Sequence, residues 1–221
     1  MHRISSPSFM QHAIELMLHL DTKLLSIIAE YGQWTYAILF VTVFSETGLV
    51  ITPFLPGDSL LFAAGSIAGT NTLNVWILAS LLWLAATLGN ITNYSIGRSL
   101  GPRIFRENAY ILKRSYLEQT QRFYEKYGTK AIILSRFLPI FRTVAPFIAG
   151  VAMMPYATFL VYTIIGAFLW TMLFVWAGYL FGQIPVIREN FGLVILGIIA
   201  VSLLPGAFEI ARQSLKKLQK R

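Results

Sequence analysis

Three long segments of this sequence contain no charged residue. Residues 59–97, 143–187 and 190–208 lack Asp, Glu, Lys and Arg altogether. A membrane-spanning helix needs about 20 consecutive apolar residues. The last segment therefore fits one span, whereas each of the other two is too long for one span and short for two. Each of these two predicts a short half-spanning helix followed by a full-length one.

The composition agrees with a membrane protein. Hydrophobic residues make up 56% of the chain and charged residues only 13%, whereas soluble domains contain about 25% charged residues. Neither a soluble enzyme nor a disordered chain has this balance. The chain has no cysteine and three histidines, all near the N-terminus, so we expect neither a metal site nor a cofactor. No nucleophile–base set is present, and we expect no enzyme.

Two proline-containing segments interrupt the apolar helices. They cover residues 46–58 and 135–146. Proline removes a backbone donor and clashes with the preceding helical turn, and broken backbone at membrane depth survives only where protein buries it or a cavity adjoins it. We therefore interpret both segments as re-entrant hairpins. The residues expected to break the helices are Pro53, Pro56, Gly57, Pro139 and Pro146.

The two hairpins resemble each other in sequence. Phe-Leu-Pro at 54–56 recurs at 137–139, and Ala-Gly at 64–65 recurs at 149–150. Paired interrupted segments in two halves of a chain indicate a transport site at the repeat interface. The predicted fold is an all-α integral membrane protein with two opposed re-entrant helical hairpins. About three to four further membrane helices complete an inverted-repeat arrangement, with amphipathic helices at the membrane interface.

The basic residues predict the orientation. Residues 98–130 hold eight Lys or Arg against three Glu, and the C-terminal tail is also basic, so both should lie in the cytoplasm. The net charge of +8 does not indicate nucleic-acid binding, because the apolar body has no aqueous surface for a duplex. The predicted segments are an N-terminal amphipathic segment (1–30), a membrane domain (31–212) and a basic tail (213–221). Within the membrane domain they are a first helix and hairpin (31–72), a membrane helix (73–97), a cytoplasmic amphipathic segment (98–130), a second hairpin (131–155) and two further membrane helices (156–182 and 190–210).

Four charged residues lie inside the apolar body, namely Glu46, Asp58, Arg136 and Arg142. A charge at the bilayer centre costs about 2.5–3.5 kcal/mol on insertion scales. The acids belong to one hairpin and the bases to the other, so opposed hairpins would bring them together near the midplane. Two interpretations stay open and are compatible: structural ion pairs that fix the hairpins, or a polar transport site.

The chemistry of these side chains suggests roles. The arginine fork fits a phosphate group, so Arg136 and Arg142 are predicted to bind a substrate phosphate. Partly desolvated carboxylates can exchange protons near neutral pH, so Glu46 and Asp58 are predicted to couple protons or to gate. The residues expected as polar lining of the site are Asn90, Asn93, Ser135 and Thr143.

Other small and aromatic residues are expected to serve packing. Gly89, Asn93 and Gly97 share one helix face, as do Gly178 and Gly182, and this spacing favours close helix contacts. The tryptophans expected to anchor helices at the membrane interface or to pack in the core are Trp76, Trp83, Trp170 and Trp176.

Several motifs together resemble one protein family. They are Glu46-x-Gly48 followed by Pro53-x-x-Pro56-Gly-Asp-Ser-Leu, Asn93-Tyr-x-x-Gly97-Arg-x-x-Gly101, Phe123-Tyr-x-x-Tyr-Gly128, Ser135-Arg-Phe-x-Pro-x-x-Arg-Thr-x-x-Pro-x-x-Ala-Gly150, Gly166-x-x-x-Trp170 and Gly178-Tyr-x-Phe-Gly182. Over about residues 28–212 the chain resembles the DedA family of the VTT-domain superfamily. The motif matches place Glu46, Asp58, Arg136 and Arg142 at the family's important acids and arginines.

The resemblance implies a bacterial inner-membrane protein with two re-entrant hairpins, related to eukaryotic lipid scramblases. It also implies a role in recycling undecaprenyl phosphate, the lipid carrier of cell-wall synthesis, and in proton-motive-force homeostasis. The expected function is a flippase for undecaprenyl phosphate or a related anionic lipid, with protons and membrane lipids as further partners. The alternatives are a proton-coupled antiporter of a small ion or drug cation, or a membrane homeostasis factor.

One position departs from the relatives that the sequence resembles. They often carry an acid directly after the glycine at position 89, where this chain has Asn90. If that acid assists proton coupling, the amide of Asn90 supplies only a polar contact in its place.

Overall fold

The computed structural model describes residues 20–49, 57–100, 124 and 128–201, and the regular structure in these ranges is entirely helical. The all-α membrane architecture predicted from the sequence is confirmed for these residues. The α-helices are α1 (Leu20–Tyr31), α2 (Thr35–Gly48), α3 (Gly57–Ala68), α4 (Val75–Leu100), α5 (Ala131–Ser135), α6 (Pro139–Val151), α7 (Tyr156–Phe181), α8 (Pro185–Glu189) and α9 (Phe191–Val201). Short 3₁₀ turns at Gly32–Trp34 and Gly128–Lys130 precede α2 and α5.

Three helical stretches of the described chain are long and apolar enough to cross a membrane: Ser26–Gly48, Val75–Leu100 and Tyr156–Phe181. The last two, α4 and α7, contain 26 residues each. At 1.5 Å per residue they are about 39 Å long, which exceeds the ~30 Å hydrocarbon core. The side chain of Asn74 caps α4, because its Oδ1 accepts hydrogen bonds from the backbone N–H groups of Trp76 and Ile77.

The predicted segment boundaries meet the observed helices as follows. Helices α4 and α7 lie at the positions predicted for membrane helices over 73–97 and 156–182. The first span begins at Ser26, inside the segment predicted to be amphipathic; residues 1–19 lie outside the described chain. So do residues 101–123, in the predicted cytoplasmic segment, and residues 202–221, which include the tail. Helix α9 lies within the predicted 190–210 helix.

Helices α3 and α6 are too short to cross a membrane. They contain 12 and 13 residues, about 18–20 Å of helix at 1.5 Å per residue, against the ~30 Å core. Both lie in segments that the sequence assigns to hairpins. Gly57 begins α3, and the two preceding prolines, Pro53 and Pro56, lie outside the described residues.

The prediction that Pro146 breaks the second hairpin is wrong. Helix α6 continues through Pro146 to Val151. The missing N–H removes one intrahelical hydrogen bond, which membrane helices tolerate where neighbouring helices support them. The break lies instead between α5 and α6, at residues 136–138. Pro139 occupies the first turn of α6, where proline is favoured because that N–H needs no helical partner.

Each short helix packs most extensively against the long helix of the other half of the chain. Helix α3 packs along α7, and α6 packs along α4. Glycines allow this approach: a Cβ on Gly65 would collide with the backbone of Val175, and one on Gly150 would collide with the backbone of Tyr94. Helix α2 packs along α4 as well. These contacts hold α2 and α6 against α4 and hold α3 against α7, which itself contacts α4.

The close contacts predicted at small residues are confirmed. Gly97 lies against the backbone of Phe147 in α6, and Gly178 lies against the backbone of Phe62 in α3. A Cβ on Gly89 would collide with Thr47 of α2, and one on Gly182 with Ser66 of α3. These glycines let backbones approach one another in a region where van der Waals packing, rather than water exclusion, drives helix association.

Candidate functional site

Three of the four charged residues singled out in the sequence meet at one point. Arg142, near the start of α6, lies between Glu46 of α2 and Asp58 of α3. Its Nη2 donates to Glu46 Oε1 over 2.5 Å, and its Nη1 donates to Asp58 Oδ1 over 2.5 Å. One guanidinium therefore joins α6 to two consecutive helices much earlier in the chain, through one charge-assisted hydrogen bond to each carboxylate.

Trp170 of α7 completes this ionic cluster. Its indole Nε1 donates to Asp58 Oδ1 over 2.8 Å, and its ring centroid lies 5.3 Å from Arg142 Cζ. The same side chain therefore holds the acid by a hydrogen bond and the base by a cation–π contact. We define the ionic cluster as Glu46, Asp58, Arg142 and Trp170. The ionic cluster joins helices α2, α3, α6 and α7.

Burial of the cluster is uneven. Glu46 and Arg142 expose only 1% and 5% of their surface, whereas the side chain of Asp58 exposes 13%. A buried ion pair must be well satisfied, since desolvation of each ion costs several kcal/mol. Two carboxylates share one guanidinium here, so the cluster carries a net charge of about −1 when both acids are ionised. Asp58 is its most accessible charged member.

Arg136 lies apart from the two acids. It sits in the break between α5 and α6, and it is 1% exposed. Its Nη2 donates to the carbonyl of Thr163 in α7 over 3.5 Å, while its Nε and Nη1 find no hydrogen-bond partner within the described part of the chain. The charge of Arg142 lies near enough to repel it. Buried donors without a partner are costly, and this side chain is equipped to receive an anion.

Gly166 gives Arg136 its place beside α7. A Cβ built on Gly166 would lie 3.2 Å from both Cδ and Nε of Arg136. A larger residue would therefore press on the guanidinium stem. Gly166 and Trp170 are one helical turn apart, so a single face of α7 borders both arginines.

Asn93 of α4 joins the two interrupted segments. Its Nδ2 donates to the carbonyl of Thr47 in α2 over 3.1 Å and to the carbonyl of Thr143 in α6 over 2.8 Å. Thr47 is next to Glu46, and Thr143 is next to Arg142. Asn93 thus holds together the two backbones that carry the partners of the buried ion pair.

The remaining residues predicted as polar lining are buried but are not joined to the ions by hydrogen bonds. Asn90 and Thr143 are each 1% exposed, and Asn90 Oδ1 and Thr143 Oγ1 lack partners among the residues described. Ser135 is equally buried, and its hydroxyl donates to the carbonyl of Ile132 within its own turn. These atoms leave unused hydrogen-bonding capacity inside the protein, which is rare for buried polar groups.

Sequence reasoning missed the role of three residues in α7. Trp170 was expected to anchor a helix or to pack in the core, and Thr163 and Gly166 were given no contact with Arg136. The available signal was the spacing Gly166-x-x-x-Trp170, which places both on one helical face. Trp170 is also a hydrogen-bond donor in an otherwise apolar helix, and a buried indole usually finds a partner.

The spanning helices and the charges buried between them define an all-helical integral membrane protein. A profile of the VTT domain matches residues 55–180, which is more than half of the chain. The similarity to DedA of Escherichia coli K12 is 54% identity over 202 residues, covering 90% of this chain and 92% of that protein. The chain belongs to the DedA family.

Other relatives agree with a membrane location. An uncharacterized membrane protein of Mycobacterium tuberculosis is 43% identical over 185 residues, which cover 82% of this chain and 81% of the relative. The inner membrane protein YqjA of Escherichia coli K12 is 34% identical over 152 residues, which cover 68% and 69%. No solved structure matches this chain significantly. The apolar helices and these relatives support location in the inner membrane.

Proposed function

We propose that this protein is a flippase that moves undecaprenyl phosphate, or a related anionic lipid, across the inner membrane. The observation that carries this proposal is Arg136, a buried guanidinium with two donor atoms unpartnered among the described residues. A phosphate group would supply acceptors for a planar arginine fork. Membership of the DedA family supports the lipid substrate by resemblance.

The two arginines take successive roles in this proposal. Arg136 receives the phosphate first, because no carboxylate among the described residues holds its donors. Arg142 joins it only after Glu46 or Asp58 lets go of the guanidinium. Protonation of either acid weakens its bond to Arg142, and an incoming phosphate then replaces the lost negative charge. This exchange would couple substrate binding to protons.

The finer features of the predicted fold belong to the same proposal. We infer that α3 and α6 are parts of two opposed re-entrant hairpins, since each is too short to cross the membrane. The crossed packing of α3 on α7 and α6 on α4 supports an inverted repeat. The basic segment 98–130 and the C-terminal tail would face the cytoplasm.

The test is lipid movement in liposomes that contain the purified protein. The leaflet exposure of undecaprenyl phosphate is compared with that of the uncharged alcohol undecaprenol. We expect movement of the phosphate lipid only, lost in Arg136→Ala and in Arg142→Ala. Arg188→Ala is the matched control, because Arg188 is exposed in α8. Equal movement of both lipids, or full activity of both Arg136→Ala and Arg142→Ala, would overturn the proposal.

A separate experiment tests proton coupling. The rate is measured across pH values and with an imposed proton gradient, for the native protein and for Glu46→Gln. We expect the rate to depend on pH in the native protein and much less in the variant. Transport that ignores both pH and Glu46→Gln would remove coupling from the proposal while leaving the flippase itself in place.

A second candidate function is a proton-coupled antiporter of a small cation. Convergence of two carboxylates on one guanidinium favours it, since the cluster has an excess of negative charge. In that case the arginines would only balance charge. Arg136→Lys and Arg142→Lys should then be mild, whereas a bidentate grip on phosphate would make both damaging.

A further inference from the structure

An apolar groove runs along the protein beside the ionic cluster. It encloses about 560 Å³, within the range of roughly 300–1,000 Å³ typical of ligand sites. Helix α7 forms one wall and α9 the other, and Phe62 of α3 lies at the inner side. A smaller cavity of about 330 Å³ shares Phe174, Ile198 and Val201 with it. The two cavities therefore adjoin each other between α7 and α9.

The described lining of the groove is apolar with one exception. Asp58 is the sole polar side chain among the described residues that line it. The aspartate carboxylate is also the acceptor for Arg142 and Trp170. The groove therefore contacts the ionic cluster through Asp58, the most accessible charged member of that cluster.

The groove is open at its outer rim. Leu173 and Phe181 of α7 expose 54% and 52% of their surface, and Val201 of α9 exposes 65%. Helix α7 is long and apolar enough to span the membrane, so this rim faces the lipid hydrocarbon. By contrast, the side chains of Glu46, Arg136 and Arg142 are almost completely buried. A molecule arriving from the bilayer would meet the ionic cluster by way of this groove.

We propose that the groove between α7 and α9 holds the hydrocarbon chain of the transported lipid while its phosphate replaces Asp58 on Arg142. The inference rests on the proposed flippase function, to which it adds the tail site and the lateral path. Apolar walls suit a hydrocarbon chain, and the phosphate reaches Arg142 only after Asp58 lets go of the guanidinium. Asp58 then acts as the gate, because it occupies the guanidinium that the phosphate must reach.

The test exploits the absence of cysteine from this chain. Single cysteines are introduced as Ala177→Cys, in the groove lining, and as Ala157→Cys, which is exposed on the same helix and outside that lining. Each is labelled with bimane and placed in phosphatidylcholine vesicles whose acyl chains are brominated. Bromine quenches the bimane wherever bulk lipid reaches it. Unbrominated undecaprenyl phosphate is then added, and undecaprenol is added in a parallel sample.

We expect undecaprenyl phosphate to relieve quenching at position 177 and to leave position 157 unchanged, with undecaprenol weaker than the phosphate. Equal relief at both positions, or none at 177, would overturn the inference. So would a label at 177 that is unquenched from the start, since another segment of the chain would then fill the groove.

A transport measurement separates this inference from the proposed function. Ala177→Trp fills the groove, whereas Ala157→Trp adds the same bulk outside it, and both are checked for folding by size-exclusion chromatography. We expect transport to fall strongly only in Ala177→Trp. Full transport in that variant would refute the tail site and leave the flippase standing. Relief of quenching at 177 without transport by the native protein would refute the flippase instead.

Discussion

Arg136 and Arg142 lie on either side of Pro139, but carboxylates neutralise the charge of Arg142 and a backbone carbonyl is the hydrogen-bond partner of Arg136. Arg142 donates to two carboxylates, one on α2 and one on α3. Arg136 has two donor atoms without a partner among the described residues and one long hydrogen bond to the carbonyl of Thr163. Arg142 therefore joins three helices through ion pairs. Arg136 is a buried charge whose Nε and Nη1 have no hydrogen-bond partner among the described residues.

This contrast predicts opposite effects of the same substitution. Arg142→Met leaves two buried carboxylates without their cation, and loss of one partner of a buried pair costs about 3–5 kcal/mol. Arg136→Met removes a buried charge that forms no ion pair with the described residues, so the free energy of unfolding should be unchanged or higher. Thermal unfolding in detergent measures both. A lower melting temperature for Arg136→Met than for Arg142→Met would contradict the assignment.

Trp170 should stabilise the fold through its indole N–H as well as through its ring. Trp170→Phe keeps an aromatic ring near Arg142 but deletes the donor to Asp58. A hydrogen bond to a charged group contributes about 1.5–3 kcal/mol, so unfolding should become easier by that amount. Trp83→Phe is the control, because Trp83 Nε1 donates to the neutral carbonyl of Ile164. An equal decrease in the free energy of unfolding for the two variants would show that the charge on Asp58 does not strengthen its hydrogen bond with Trp170.

Asn93 and Asn90 lie on the same helix and should respond differently to leucine. Asn93→Leu removes two buried hydrogen bonds, to the carbonyls of Thr47 and Thr143, and each such bond contributes about 0.5–1.5 kcal/mol. Asn90→Leu removes an amide whose Oδ1 has no partner within the described residues. We expect a clear fall in melting temperature for Asn93→Leu only. The reverse order would refute the bridging role of Asn93.

Gly150 should be irreplaceable on packing grounds. A Cβ there would collide with the backbone of Tyr94 in α4, so Gly150→Ala must push α6 away from α4. Overpacking of this kind costs about 1–3 kcal/mol. Gly197→Ala is the control, since its Cβ would meet open space, and alanine favours helix by about 1 kcal/mol. Unfolding in detergent should show loss for the first variant and no loss for the second.

The membrane architecture could be predicted from the sequence because it depends on local composition. A long apolar segment in a membrane must satisfy its own backbone polar groups, which favours helices, since hydrocarbon offers them no partner. The two long helices accordingly appear at the predicted positions. The prediction that Pro146 ends a helix was wrong because it considered the local sequence alone. A neighbouring helix can stabilise the backbone around a proline, and α6 packs tightly against α4.

The sequence by itself determined which residues matter chemically: four charges in an apolar body must be satisfied or used, wherever they lie. Only the tertiary structure decided how they are distributed. Packing of α3 on α7 and of α6 on α4 brings Asp58, Trp170 and Arg142 together and leaves Arg136 facing Thr163. Ion pairing depends on distances of a few ångströms between helices far apart in sequence, and close contacts such as those of Gly65 and Gly150 fix those distances. No local pattern contains that information.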